Sequence, residues 1–507
     1  MIRAARRSLG ARLGRALIIL APVVSAGCAG AAVYPTYPAP ETLPASSPLL
    51  SRSLGQTDAW LRHYLLTGQA REALEIVDEE SPTAPDDDLL RAMMEALVLH
   101  QAGEYERSNE VFAWVEREAD LRFTRSLSRM GGSLLINDRV MKYTPSATEL
   151  RMIPYYRMLN YLAMDDLDGA VVEARKAGAL LDRLDDDADA CGQGALLEYL
   201  AAAVRDRVDD ASGAAVSMRR AEHRFAECDA PGGVRPPARM ASEAPGDSAG
   251  SVMILIEHGF VAHRAEEELH IPIFRDELND LDGDGDERIG IVADRITART
   301  LADLGDDLTW GRYDRRYRWA RWGNSLDDAY ILRLAWPVCR LEANAPAGIR
   351  VLVGDSVIRT TVGADISATV RSDLAAAMPA TLTRMVARGI AKYLVTREVE
   401  EAAEEEGGEL LGFLTGRIVN LVANGLEQAD TRSWSILPNR ISVAEAVLPP
   451  GVYPVRVEAL GPRGEVVATH ELGSVKVEAG GRTILSDRVW GHTAETRSRS
   501  RALKARS

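Results

Sequence analysis

The stretch Ala230–Ser251, APGGVRPPARMASEAPGDSAGS, is followed at once by Val252–Glu257, VMILIE, and at this join the chain changes its period. Proline and glycine recur through the first piece, so no helix can run through it, and residues 229–251 read as a linker. The second piece is an unbroken apolar and β-branched run, which predicts a strand. Upstream of the linker, residues 51–228 have helical spacing, and most of the chain beyond the join mixes strands with helix.

Working upstream, helical segments recur with Gly or Asp at the turn and a small residue five positions on. The pairs are Gly68 and Ala73, Gly103 and Ser108, Asp165 and Ala170, Asp209 and Ala214. Tyr64 and Tyr161 each stand four residues before their turns. These small and aromatic positions resemble the packing positions of tetratricopeptide helices, whose unit is about 34 residues. The turns here are spaced 35, 62 and 44 residues apart, so the expected array over residues 51–228 is degenerate and carries an insertion near 119–148.

Working downstream, Leu269–Phe274, Ala329–Trp336 and Ile349–Val353 read as further strands. Met378–Glu406 has helical spacing and an acidic end, then Gly407-Gly408 turns into a second helix reaching about Gln428. Ile441–Trp490 alternates like a small antiparallel sheet, with turns at Pro449-Pro450-Gly451 and Gly461-Pro462-Arg463-Gly464. The expected fold class is α plus α+β: tetratricopeptide-like pairs, then a mixed domain with a helical hairpin over 252–430 and a β-rich region over 431–490.

The N-terminus bears on address. Residues 1–27 hold five arginines and no acid, an apolar run from Ala16 to Val24, and Ser25-Ala26-Gly27 before Cys28. That is the layout of a cleavable export signal, and the run is too short to span a bilayer. Gly27-Cys28 fits lipid attachment at Cys28, although Leu is the usual residue where Ser25 stands. Ala29 after the cysteine favours the outer membrane, with the body facing the periplasm, and residues 28–50, rich in Pro, Ala, Ser and Tyr, read as a tether. Losing the signal takes the formal net charge from −15 to −20, which argues against a nucleic-acid partner. The end, residues 491–507, is instead basic through Arg497, Arg499, Arg501, Lys504 and Arg506, and reads as a solvated tail with anionic envelope polymers as an alternative contact. Cys191 and Cys228 flank one predicted helical pair and are candidates for a disulfide, whereas Cys339 sits in an apolar run.

Chemistry-bearing motifs are few. Asp280, Asp282, Asp284 and Asp286 alternate like the opening of a calcium loop. From either starting point the loop lacks its closing Glu, since Ile291 or Ala293 stands there, so a solvated acidic loop is the favoured reading and calcium the only cofactor raised. His258, His263 and His270 lie near Glu266, Glu267 and Glu268 without the spacing of a zinc motif. Nucleophile and nucleotide-binding signatures are missing, but paired acids for glycoside hydrolysis need not be neighbours in sequence. Gly408, Gly412 and Gly416 share a helix face and read as a place of close packing.

Five stretches in order carry a resemblance: Ser133–Asp138 with Tyr143, Tyr161 to Lys176, Ile254–Gly259, Ala429–Pro438, and Leu448–Tyr453. Together they resemble a family of proteobacterial envelope lipoproteins with a tetratricopeptide-like N-terminal half and no assigned activity, in which Asn is expected where His258 stands. The resemblance implies a link to cell-wall synthesis machinery. The expected function is therefore a non-catalytic, lipid-anchored scaffold that binds envelope proteins, with an envelope hydrolase acting on peptidoglycan or another glycan as the alternative. Asn137, Asp138 and Tyr143 in the insertion, and Asp430, Arg432 and Trp434, are the candidate contact residues, because an aromatic flanked by polar groups suits an interface. A turn at Asn137-Asp138 and a core tryptophan locking helix to sheet at Trp434 are the structural alternatives.

Overall fold

A computed structural model describes residues 54–79, 88–129, 142–184, 191–227, 234–237, 248–274, 286–304, 329–341, 345–407 and 429–490, all within one compact unit, 48–507. The first half is helical: α1 Gln56–Leu66, α2 Ala70–Glu79, α3 Asp88–Ala102, α4 Tyr105–Arg129, α5 Ala147–Ala163, α6 Leu167–Arg183, α7 Cys191–Asp206 and α8 Ala211–Glu227. Each helix packs chiefly on its immediate neighbours in the chain.

The four turn positions marked by the sequence all have left-handed backbones, with φ +73° at Gly68, +75° at Gly103, +60° at Asp165 and +57° at Asp209. Glycine has no Cβ to clash there, and Asp tolerates the region through local hydrogen bonding. Each residue closes the same helix end. The next N–H reaches back five residues, Gln69 to Tyr64, Glu104 to Leu99, Asp166 to Tyr161 and Asp210 to Arg205, at 2.8 to 3.1 Å. The turn residue's own N–H reaches back three, so carbonyls orphaned by the helix end are satisfied. Past the turn, Ala73, Ser108 and Ala170 are wholly buried and Ala214 is half-buried, which lets the paired helices close on one another.

The second half contains β1 Gly250–His258, β2 His263–Phe274, α9 Asp286–Leu304, β3 Ala329–Arg340, β4 Gly348–Val353, β5 Ser356–Ile358, β6 Thr360–Asp365, α10 Ile366–Gly407, β7 Arg440–Leu448, β8 Gly451–Leu460, β9 Val466–Val477 and β10 Arg482–Val489. The fold class is α plus α+β, as expected. Two details differ from the sequence reading. The helix placed at Met378 begins at Ile366, because the Asp365 carboxylate accepts the Ala368 N–H at 2.9 Å and starts the helix there. The four C-terminal strands are not one sheet. β1 is buried along its whole length and takes a neighbour on each edge, β7 antiparallel and β10 parallel, giving the order β10-β1-β7-β6. β8 and β9 join β4 and β5 in a second sheet of order β5-β4-β8-β9.

Strands from 440–489 thus share both sheets with strands that precede residue 431. The two four-stranded sheets pack face to face through Val252, Ile254 and Ile256 against Val351, Val455 and Val457. On its far side the first sheet meets α7, where Tyr199 donates to Glu445 at 2.5 Å and Arg482 pairs with Asp206 at 3.0 Å. The antiparallel β2–β3 pair makes a second core with α9 and α10 around Trp336, Ile296 and Leu382. Within the linker, Val234 forms a parallel bridge to Val362 of β6, and the Arg235 N–H reaches the Val362 carbonyl at 3.0 Å.

Candidate functional site

Two places gather chemistry-bearing side chains, and the first is the seam where the helical half meets the sheets. Residues 429–439 cross between them without helix or strand, turning at Ser435-Ile436, and buried guanidinium groups hold the backbone. Arg62 of α1 donates to the Ser435 carbonyl at 2.6 and 3.1 Å and to the Val261 carbonyl at 2.9 Å. Arg488 of β10 donates to the carbonyls of Ile436, Leu437 and Gly259 at 2.8, 3.0 and 2.9 Å. From the helical side, Glu149 accepts the Trp434 N–H at 2.7 Å while also completing the capping box of α5 with Ser146.

Trp434 is only 1% exposed, its ring 6.0 Å from that of Phe112 and 6.2 Å from that of Tyr156. The exposed-contact reading fails for this conformation, and the ring instead joins α4 and α5 to the strap. Asp430 and Arg432 pair with each other at 2.8 Å, and the Arg432 guanidinium lies 5.8 Å from the centre of the Tyr143 ring. Tyr143 is itself buried, and its carbonyl accepts from Arg122 at 3.0 Å. The structure thus brings Tyr143, Asp430, Arg432 and Trp434 into one neighbourhood, with both rings buried and the Asp430–Arg432 pair partly exposed. Asn137, Asp138, Cys28, Cys228, Asp280, Asp282, Asp284 and the 408–416 glycines lie outside the described residues, and Asp286 opens α9.

Ionisable groups at the seam are displaced by their enclosure. Burial pushes the Glu257 carboxyl up to about 6, against the opposing pull of Arg488, and Tyr156 donates to it at 3.1 Å. Burial drives His258 and His263 down to about 3, with Arg440 and Arg488 adding to the effect at His258 and Arg62 and Arg340 at His263. The neutral His258 ring meets the Ser442 hydroxyl at 3.1 Å. Glu257, His258 and His263 are each buried, at 2%, 3% and 1% exposure. Among the described residues no group of three or more His, Cys, Asp or Glu side chains is placed to hold a metal ion.

The second place is on the surface. Between α3 and α4 lies a groove of about 380 Å³ lined by Asp88, Arg91, Ala92, Glu95, Glu110, Val111 and Trp114. Trp114 is 40% exposed, and Leu121, two turns further along α4, is 52% exposed. A smaller cleft of about 190 Å³ between α4, α5 and α6 has Leu150, Ile153 and Pro154 among its lining residues, and its acids Glu116 and Asp120 each reach a base, Lys176 at 2.9 Å and Arg183 at 2.8 Å.

Trp114 escaped the sequence reading, although a signal existed. Phe112, Val115, Ala119 and Arg122 recur at helical spacing and are the buried stripe of α4. Trp114 and Leu121 lie off that stripe, which is where an apolar side chain has no core to enter.

No protein-family model, no curated protein and no solved structure matches the chain.

Proposed function

We propose that this chain is a non-catalytic scaffold, lipid-anchored through Cys28 at the periplasmic face of the outer membrane, that docks an envelope protein on the α3–α4 groove. The observation that carries the reading is the exposed indole of Trp114 in a polar-rimmed groove on a stack of braced helices. Exposed aromatics of this kind anchor protein contacts, because the ring supplies a large apolar area with few torsions to freeze. The backing is rigid. Asn160 donates to Ser108 and Asn109 at 2.9 and 3.0 Å, and Arg157 of α5 reaches Glu173 at 3.0 Å, so α4, α5 and α6 are cross-linked behind the groove. Cell-wall synthesis machinery is the first class of partner to examine, given the family resemblance.

Affinity purification from crosslinked envelopes tests this, with Trp114→Ala and Cys28→Ala beside the native chain. A reproducible protein partner lost on Trp114→Ala, in a chain that remains folded, supports the reading. An unchanged set of partners on Trp114→Ala sinks it.

A further inference from the structure

The charge around the groove selects its occupant, and this step rests on the docking function proposed for that groove. Asp88, Glu95 and Glu110 share the groove lining with a single base, Arg91, which lies 3.8 Å from Glu95. Carboxylates around an exposed indole favour a cationic segment with an apolar anchor, since a guanidinium gains from both the carboxylates and the ring face. The chain contains such a segment. Residues 497–506 read RSRSRALKAR, with Arg497, Arg499 and Arg501 at alternate positions and Leu503 between the last arginine of that run and Lys504. In extended backbone, alternate residues fall on one side, so three guanidinium groups would line up about 7 Å apart.

The point of departure also fits. Trp490 rests against Phe260 at 4.6 Å between ring centres, and the Arg62 guanidinium of α1 lies 4.9 Å from the same Phe260 ring. α1 packs on α2 and α2 on α3, so the groove lies about two helix spacings away, on the order of 20 Å. The thirteen residues from Trp490 to Leu503 span up to about 43 Å when extended. We propose that residues 497–506 occupy the α3–α4 groove of their own chain, and that a partner gains the groove by displacing them with a basic, apolar-anchored segment of its own.

A photo-crosslinker placed by Leu503→p-benzoylphenylalanine in the full chain tests this, with the crosslinked sites mapped by mass spectrometry. Crosslinks concentrated in residues 88–114 are expected, falling at least about fivefold in about 0.5 M salt, where exposed charges are screened within a few ångströms. The double variant Glu95→Lys, Glu110→Lys, shown folded by circular dichroism, should lose them to the same extent. Crosslinks on other faces, on added anionic polymer alone, or in the groove but indifferent to charge reversal would overturn the proposal. The two readings separate cleanly. If the tail crosslinks elsewhere while Trp114→Ala still loses its partner, the docking surface stands and only the tail's role falls.

Discussion

Trp434 and Trp114 make opposite use of the same side chain. Trp434 stands in a stretch whose neighbours, Asp430, Arg432, Ser433 and Ser435, look like a solvated loop, and it is 1% exposed. Trp114 stands in the middle of a long helix, where a tryptophan is usually core, and it is 40% exposed. What separates them is where the polar atoms around them point. Around Trp434 the carbonyls of Ser435, Ile436 and Leu437 are consumed by Arg62 and Arg488, so the polarity of the strap is directed inward. Around Trp114 the carboxylates of Glu95 and Glu110 line an open groove. Flanking polarity therefore measures how many hydrogen bonds a segment needs, and says nothing about whether water or protein supplies them.

The contrast can be broken at several points. Trp434→Ala should cost about 3 to 5 kcal/mol, the range for emptying a buried aromatic site. Urea unfolding reads this, and a loss below about 1 kcal/mol would mean the ring is not structural. Next in size is the pH response of the seam. His258 and His263 are held neutral near pKa 3 against 6.5 when unfolded, so the unfolded chain takes up protons first and stability falls as pH drops below 6.5. Glu257 works the other way, since its raised value near 6 means the folded chain takes up the proton first between about 6 and 4.5. The two histidines outweigh the one acid, and a net loss of about 2 kcal/mol per pH unit is expected between pH 5.5 and 4.5. His258→Asn keeps a partner for Ser442 and should remove roughly half of the histidine contribution. A variant with the native pH slope would show that His258 is not responsible.

Smaller effects are expected on the helical side. Gly103→Ala forces a Cβ into φ +75° and should cost about 1 kcal/mol, whereas Gly103→Asn should cost less because Asn accepts that region more readily. Equal melting temperatures for the two variants would argue against the backbone account. Smallest of all, Trp114→Ala should shift stability by only about 0.5 kcal/mol, as for most surface positions, while removing partner recovery. A large loss of stability there would make Trp114 a second Trp434.

The helical turns were the most legible part of the fold, because a left-handed residue at a helix end is a local matter and Gly68, Gly103, Asp165 and Asp209 declare it themselves. Strand cores were legible for the same reason, as in VMILIE. Pairing was not. The partners of β1 come from β7 and β10, and nothing in Ile441–Trp490 taken alone tells β10 to lie parallel to a strand from the other side of the helical region α9–α10. The candidate site was half legible: Tyr143, Asp430, Arg432 and Trp434 do assemble, but which way they face depends on Arg62 and Arg488, one near each end of the described chain. Trp114 was readable in principle, as an apolar residue off the stripe that α4 buries.

The position of β10 also sets a clock. The Arg488 guanidinium meets the Gly259 carbonyl across 229 residues, and β1 has a bare edge until β10 arrives beside it. A chain delivered N-terminus first must wait with that apolar edge unpaired, a state that invites pairing with a neighbouring molecule. A polypeptide cut short before Arg482 would hold nearly all of its secondary structure and still lack the strand that shuts it, so folding ends here as a latch ends, with the last piece to arrive.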